Sequence, residues 1–305
     1  MGKALILDAN SIIHRAFHAL PPLTTKKGEP TNAVYGFLLV FFKIIKEFNP
    51  DYIVSCFDFP APTFRHKEYK EYKAKRAVAP ESLYKQIPKV KDVLQSFNVP
   101  IFEEEGFEAD DLVGTLAEKF RKTAESIVVS GDKDALQLVD MNTKLYLLRQ
   151  GIKNISVFDE RAVEEQYGIP PGKMIDFKAL RGDPSDNIPG ALGAGEKTAI
   201  ELVKKFGSVE NLYDQILNNG KEAESLKPSL RSKLIQSQKN VFFSKQLVEI
   251  KKDVSVDFDP KKCRWGLFDR EKAKENLQKF GFRSLAEKIP ETGAKKQIGE
   301  NFKLW

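Results

Sequence analysis

Ala4-Leu5-Ile6-Leu7-Asp8 reads as a short strand that ends on an acid. The same form recurs at Tyr52 to Phe57 before Asp58, and at Ser126 to Ser130 before Asp132 and Asp134. Gly106-Phe107-Glu108-Ala109-Asp110-Asp111 and Gly182-Asp183-Pro184-Ser185-Asp186-Asn187 add two further acid clusters. In an open α/β sheet the carboxyl ends of the strands converge on one crevice, so acids far apart in sequence are expected to meet there. Like charges held that close repel strongly, and bound cations make the arrangement tolerable. All-oxygen ligation selects Mg²⁺, Mn²⁺ or Ca²⁺ rather than zinc. More carboxylates than one ion can use implies two ions about 4 Å apart, the usual apparatus for in-line displacement at a phosphodiester.

Each cluster taken alone has a plainer reading. Glu108, Asp110 and Asp111 open a helix, where acids serve as first-turn caps. Asp132-Lys133-Asp134 resembles an Asx-rich turn and lacks the rest of an EF-hand loop. Asp183 and Asp186 could cap the following turn. Independent capping, however, does not predict that all of them flank one cleft.

Outward from these runs, the pattern predicts strands at Ala4 to Asp8, Tyr52 to Asp58, Val99 to Phe102, Ser126 to Ser130 and Thr143 to Leu148. Helices are predicted near Thr31 to Phe48, Pro80 to Phe97 and Ala109 to Lys122. Strands alternating with helices indicate an α/β fold with a mostly parallel sheet covered on both faces. After about Glu160 the strand signal fades and Gly168, Pro170, Pro171, Gly172 and Gly182 punctuate helical segments.

Two basic elements accompany the acids. Phe64-Arg65-His66-Lys67-Glu68-Tyr69-Lys70-Glu71-Tyr72-Lys73-Ala74-Lys75-Arg76 places Tyr69, Tyr72, Lys73 and Arg76 on one helical face by three- and four-residue steps. Cations interleaved with aromatic rings suit single-stranded nucleic acid, and the segment follows Asp58; the alternative is a solvated charged helix. Gly193-Ala194-Gly195-Glu196-Lys197-Thr198 is a Gly-x-Gly turn at a helix start, whose backbone N–H groups form an anion nest beside Lys197. It is not a nucleotide-binding P-loop, because the Gly-x-x-x-x-Gly-Lys-Thr spacing is absent. Arg15, just beyond Asp8, is a candidate bidentate phosphate ligand.

The 305 residues carry 49 Lys plus Arg against 43 Asp plus Glu, a net charge of +6 although the proposed site uses nine acids. The remaining surface is therefore more basic than the total, which favours a polyanionic partner. Two cysteines are too few for a disulfide framework and point to a reducing compartment. No apolar run approaches the roughly 18 residues of a membrane span, and the N-terminus does not resemble a cleavable signal. A cytoplasmic location with no membrane partner is expected.

These residues closely resemble the 5′ nuclease family, which includes the 5′ nuclease domain of bacterial DNA polymerase I, phage 5′ exonucleases and eukaryotic flap endonucleases. The resemblance runs from Leu5 to about Leu285. It is carried by Arg15-Ala16-Phe17-His18-Ala19-Leu20, Gly28-Glu29-Pro30-Thr31, Ala33-Val34-Tyr35-Gly36, Thr63-Phe64-Arg65, Tyr72-Lys73-Ala74-Lys75-Arg76, Gly195-Glu196-Lys197-Thr198-Ala199 and the five acid motifs. It implies a PIN-like or Rossmann-like nuclease core over residues 1–165 with a helical arch at about 64–97. It also implies a helix-three-turn-helix (helix-hairpin-helix) module over 166–290, followed by a tail at 291–305. Asp8, Asp58, Glu108, Asp110 and Asp111 would serve a first metal, and Asp132, Asp134, Asp183 and Asp186 a second. The ions would be two Mg²⁺, with Mn²⁺ substituting, and a monovalent cation would sit at the hairpin. Arg15, Lys73 and Arg76 would be catalytic; Arg65, Tyr69, Tyr72, Gly193, Gly195, Lys197 and Thr198 would contact DNA. The implied activity is 5′-to-3′ exonuclease and 5′ flap endonuclease on DNA and RNA primers, in replication and repair. Its partners would be DNA with a 5′ flap, nick or RNA primer and a DNA polymerase in cis or in trans, with the chain itself a monomer. Competing readings are a PIN-like ribonuclease, which would lack both basic elements, and a catalytically silent paralogue that only binds branched DNA. Ala194 stands where the family commonly carries a larger aliphatic residue.

Overall fold

In the computed structural model, which describes residues 1–290, the chain runs β1 (Gly2–Asp8), α1 (Ala9–Ala19), α2 (Asn32–Phe48), β2 (Tyr52–Cys56), α3 (Phe64–Glu68), α4 (Glu81–Tyr84), α5 (Ile87–Ser96), β3 (Ile101–Phe102), α6 (Ala109–Phe120), β4 (Ala124–Ser130), β5 (Thr143–Leu148) and β6 (Ile155–Phe158). Helices α7 (Glu160–Tyr167), α8 (Met174–Arg181), α9 (Glu196–Phe206), α10 (Val209–Leu217), α11 (Lys221–Glu224), α12 (Pro228–Val248), α13 (Arg270–Lys279) and α14 (Arg283–Ala286) follow. The tail expected at 291–305 lies outside the described residues.

The six strands lie in the order β3-β2-β1-β4-β5-β6. All neighbouring pairs are parallel except β5 with β6. Alternate residues of the central strands enter different cores. Leu5, Leu7, Ile53, Ile127 and Val129 pack beneath α1, α2 and α5. Ala4, Ile6, Val54, Cys56 and Val128 pack beneath α6. Burial on both faces explains why these strands read as continuous apolar runs, since each buried Leu, Ile or Val contributes roughly 1.5–3 kcal/mol. The chain passes from β1 to β2 and β3 on one side and then crosses to β4 on the other. The crevice beyond the carboxyl ends of β1 and β4 is therefore the switch point of the sheet, where ligands bind in such folds.

The structure adds one strand and changes three expectations. Strand β6 is an antiparallel edge strand whose Val157 is 47% exposed, which left it without a period-two signal. The helix expected over Pro80 to Phe97 is two helices, α4 and α5, separated at Gln86. That glutamine is buried and its Oε1 accepts from Ala33 N at 2.8 Å, capping α2, which has no side-chain cap of its own. The segment expected as a continuous helical arch at about 64–97 is interrupted: between α3 and α4, residues 69–76 run in turns with Lys73 at φ +56°. Finally, the helical module ends at α12 rather than at residue 290. Beyond it the chain returns to the α/β core: Ile53 N donates to Cys263 O and Trp265 N to Asp51 O, both at 2.9 Å. Ala273, Leu277 and Leu285 then join the α2 and α5 side of the core.

Candidate active site

The ends of β1, β2 and β4, the first turn of α6 and the loop after α8 enclose a cavity of about 310 Å³. Asp8, Asp58, Glu108, Asp110, Asp132, Asp134 and Asp186 line it, together with Arg15, Lys73 and Arg76. Asp183 lines an adjoining cavity of about 560 Å³ that shares Arg15, Asp132 and Asp134. Eight of the nine acids read from the sequence therefore face this paired cleft.

Asp8 ends β1 and caps α1. Its Oδ2 accepts from Ser130 Oγ at 2.6 Å and its Oδ1 from Ser11 N at 3.2 Å. Burial pushes its carboxyl up to about 6, against the lowering effect of the two serines. Asp58 is held on both oxygens, Oδ1 by Ala109 N at 2.8 Å and Oδ2 by Asn10 Nδ2 at 2.7 Å. Asp110 is pushed well above the ordinary carboxylate range by burial, and by Asp111 and Glu108 beside it. Burial also raises Asp134, to about 7, with Asp132 adding to it and Lys178 opposing. Glu108 goes the other way: burial would raise it, but Lys73 and Arg65 outweigh burial and hold it below its ordinary value.

The acids are countered by cations from two segments, the turns at 69–76 and α8. Lys73 Nζ meets Glu108 Oε1 at 2.6 Å, and Arg76 pairs with Asp186. Lys178, on α8, pairs with Asp134 and reaches Asp183 Oδ2 at 2.8 Å. Asp183 falls to about 2, because Lys178 and Ser185 overcome the upward push of burial. Sequence reading missed Lys178. A lysine inside an amphipathic helix carries no signal of its own, and only the packing of α8 on the turn at Lys133–Leu138 reveals its partners.

Three expected roles need correction. Asp111 is fully buried and does not face the cleft; its oxygens accept from Arg65 Nη1 at 2.7 Å and Nη2 at 2.8 Å, and from the backbone of Glu108 and Lys251. The first-turn capping reading is thus the right one for Asp111. Arg65, expected at the DNA, is 2% exposed and also donates to the carbonyls of Leu247 and Glu249 at 2.8 Å. Tyr72, expected to stack on bases, is 4% exposed and donates to Glu108 Oε2 at 3.0 Å. Tyr69 is half-buried against Phe243. The supposed helical face at 69–76 is therefore a set of tertiary contacts that draws Tyr72, Lys73 and Arg76 down onto the acids.

As the side chains stand, no three of these acids clasp a common point among the described residues. Two oxygens in the cavity are nevertheless buried without a hydrogen-bond partner, Asp110 Oδ1 and Asn10 Oδ1. Unpartnered buried oxygens amid carboxylates fit a hard divalent cation such as Mg²⁺ or Mn²⁺, for which Asp8, Asp58, Glu108, Asp110, Asp132, Asp134, Asp183 and Asp186 would be the donors.

Beyond the cleft, α8 and α9 are joined by residues 182–195. Asp183 and Ile188 exchange backbone hydrogen bonds at 3.0 and 2.8 Å, and a Cβ on Gly190 would lie 2.4 Å from the Arg181 carbonyl carbon, so only glycine closes this turn. Leu192 N donates to Ser237 Oγ at 2.9 Å, tying the turn to α12. Gly195 precedes α9 directly, with open space where its side chain would be, and Gly193 and Lys197 are exposed with it. Thr198 is half-buried. Ala194 is buried in the helical core.

Comparison with known proteins agrees with this architecture. The family profile "5′-3′ exonuclease, N-terminal resolvase-like domain" matches residues 3–168, and "5′-3′ exonuclease, C-terminal SAM fold" matches residues 169–271. A 5′-3′ exonuclease of Aquifex aeolicus is 40% identical over 290 residues, covering 95% of this chain and 96% of the relative. DNA polymerase I of Bacillus subtilis is 38% identical over 294 residues, covering 96% of this chain and 33% of the relative. The chain thus spans about a third of the length of the polymerase relatives it matches. Among solved structures, the 5′-exonuclease of bacteriophage T5 with bound divalent metal ions (zinc) has a TM-score of 0.65 at 21% identity, over 93% of this chain and 98% of that one. The catalytic core of Rad2 in complex with DNA substrate has a TM-score of 0.62 at 19% identity, over 94% and 91%. With both family profiles matched in order and a relative of nearly equal length at 40% identity, the chain belongs to the 5′-3′ exonuclease family.

Proposed function

We propose that the chain is a divalent-metal-dependent, structure-specific 5′ nuclease that removes 5′ flaps and RNA primers, acting as a 5′-to-3′ exonuclease and flap endonuclease. The observation that supports this most directly is the juxtaposition of Lys73 and Arg76 with Glu108 and Asp186 at the mouth of the acid cavity. Two Mg²⁺, replaceable by Mn²⁺, would be held by Asp8, Asp58, Glu108 and Asp110 on one side and by Asp132, Asp134, Asp183 and Asp186 on the other. Such ions polarise a scissile phosphate and ready a water for attack.

The chain's own residues prepare the site. Ser130 and Ser11 fix Asp8, and Asn10 and Ala109 fix Asp58, so these carboxylates need little reorganisation. Arg15 is braced by Gly131 O at 2.7 Å through one nitrogen and lines both adjoining cavities, which suits it to a bidentate phosphate contact. Lys73 and Arg76 would exchange their carboxylate partners for phosphate oxygens, where negative charge grows during displacement. The turn before α9 would act as the hairpin of a helix-hairpin-helix, with Gly193, Gly195 and Lys197 holding duplex phosphates behind the cut.

Cleavage of a 5′-labelled 5′ flap, a matched 3′ flap and a plain duplex, each with Mg²⁺ or EDTA, tests the reading. Cutting close to the junction of the 5′ flap, lost in EDTA, is the expected result. Preference for the 3′ flap, or equal cutting of unstructured single strands, contradicts it.

A further inference from the structure

Asn10 lies in the first turn of α1, two residues past Asp8, and lines the acid cavity. Its amide orientation follows from its partner: a carboxylate only accepts, so the group within 2.7 Å of Asp58 Oδ2 is the NH₂. The carbonyl oxygen therefore points away from Asp58. It is buried, solvent does not reach it, and it has no hydrogen-bond partner. Desolvating such an oxygen without compensation costs about 1–3 kcal/mol, so a native cleft is expected to supply a partner.

Asp58 links this oxygen to a second one in the same state. While its Oδ2 holds Asn10, its Oδ1 holds the amide of Ala109 at 2.8 Å, and the next residue is Asp110, whose Oδ1 is also buried and unpartnered. Among the described residues, the other two buried side-chain oxygens without partners belong to Ser55 and Ser126, inside strands and away from the cavity lining. No nearby side-chain N–H or O–H is aimed at either cleft oxygen. A hard cation fills this role well, since it takes oxygen ligands at close to 2 Å and carboxylates crowd the same cavity.

Resting on the metal-dependent reading above, we infer that Asn10 is a further, neutral oxygen ligand for a divalent cation in the cleft, acting beside Asp110 while its NH₂ group fixes Asp58. A neutral ligand adds coordination without adding another charge to a crowded set of carboxylates.

The test is calorimetric titration of Mn²⁺ into the DNA-free protein, for wild type, Asn10→Ala and Asn10→Asp, with melting temperatures recorded in EDTA. Asn10→Ala is expected to weaken one class of Mn²⁺ site about tenfold, with its metal-free melting temperature unchanged. Asn10→Asp keeps an oxygen and loses the donor to Asp58, so it should bind Mn²⁺ at least as tightly as wild type. If Asn10→Asp binds as weakly as Asn10→Ala, the residue acts only through Asp58 and the inference falls. It falls equally if Asn10→Ala binds as wild type does; flap cleavage by the wild type in Mg²⁺ would then leave the nuclease reading standing. A wild type that neither binds Mn²⁺ nor cleaves the flap would overturn both.

Discussion

Arg65 grips Asp111 through two parallel hydrogen bonds, Nη1 to Oδ2 at 2.7 Å and Nη2 to Oδ1 at 2.8 Å, and neither residue is more than 2% exposed. The same guanidinium donates to Leu247 and Glu249 at the end of α12. It therefore joins the start of α6, where Glu108 and Asp110 enter the cleft, to the last turn of the helical module.

Removing one partner of this buried pair leaves an uncompensated charge. Arg65→Ala should destabilise the protein by about 3–5 kcal/mol. Arg65→Lys should recover little of that, because an ammonium cannot form the paired geometry. Urea unfolding midpoints check this. A variant as stable as wild type would show that the pair is dispensable.

Asp134→Asn preserves shape and removes a charge. Turnover should drop by orders of magnitude while DNA affinity is kept or raised, since repulsion between acids and phosphate falls. Near-native rates in Mg²⁺ would take Asp134 out of the chemistry. Lys178→Met should raise the titration of Asp183 from about 2, as the ammonium that holds it down is gone. A carboxyl-resolved NMR titration of wild type and variant reads the change directly.

Two substitutions at the turn before α9 separate folding from binding. The space next to Gly195 is open and its backbone is extended, so Gly195→Val should leave the melting temperature unchanged. The added side chain stands where a phosphate would approach the backbone, and duplex affinity should fall about tenfold or more. Equal affinity would remove this turn from the DNA path.

Lys73→Ala and Arg76→Ala should slow single-turnover cleavage by about a hundredfold, with a smaller loss of duplex affinity, because both side chains lie at the acids rather than along a duplex path. The same phenotype for these variants and for Gly195→Val would defeat that division of labour.

The acids also set a pH dependence. Asp8, at about 6, and Asp134, at about 7, titrate above the ordinary carboxylate value near 4 in the folded, metal-free protein. The folded state thus holds protons that the unfolded state has released. Stability from these two groups is full below about pH 4 and declines as pH rises through 6 and 7. Cations that bind the ionised acids should reverse this, so Mg²⁺ should raise the melting temperature more at pH 8 than at pH 5.5. An equal shift at both values would mean that neither acid meets the ion.

The sheet was legible because β1, β2, β4 and β5 are buried on both faces, which forces nearly unbroken apolar runs whatever surrounds them. The acids were legible for a related reason, as they sit where those runs stop. Residues 69–76 misled because helical spacing is a local property, whereas Tyr72, Lys73 and Arg76 are placed by partners 35 to 114 positions away. Arg65 and Lys178 look like surface cations in the sequence, and only the close approach of α6, α8 and α12 converts them into buried counter-ions.

The helical module departs from the α/β core at α8 and rejoins it after α12. Its attachments include Lys178 on Asp134, Arg76 on Asp186, and the Arg65, Asp111 and Gln137 grip on residues 247–251. The module is also seated on the sheet, since Phe177, Leu180, Leu202 and Val241 share one apolar core with Ile6, Val54 and Val128. If the turn before α9 holds a duplex as proposed, tension on that duplex would reach these anchorages, which are bonded to acids of the cleft or to their immediate neighbours. Pulling on the DNA would accordingly be felt in the spacing of the carboxylates themselves, which makes cleavage rate under applied force a direct gauge of that linkage.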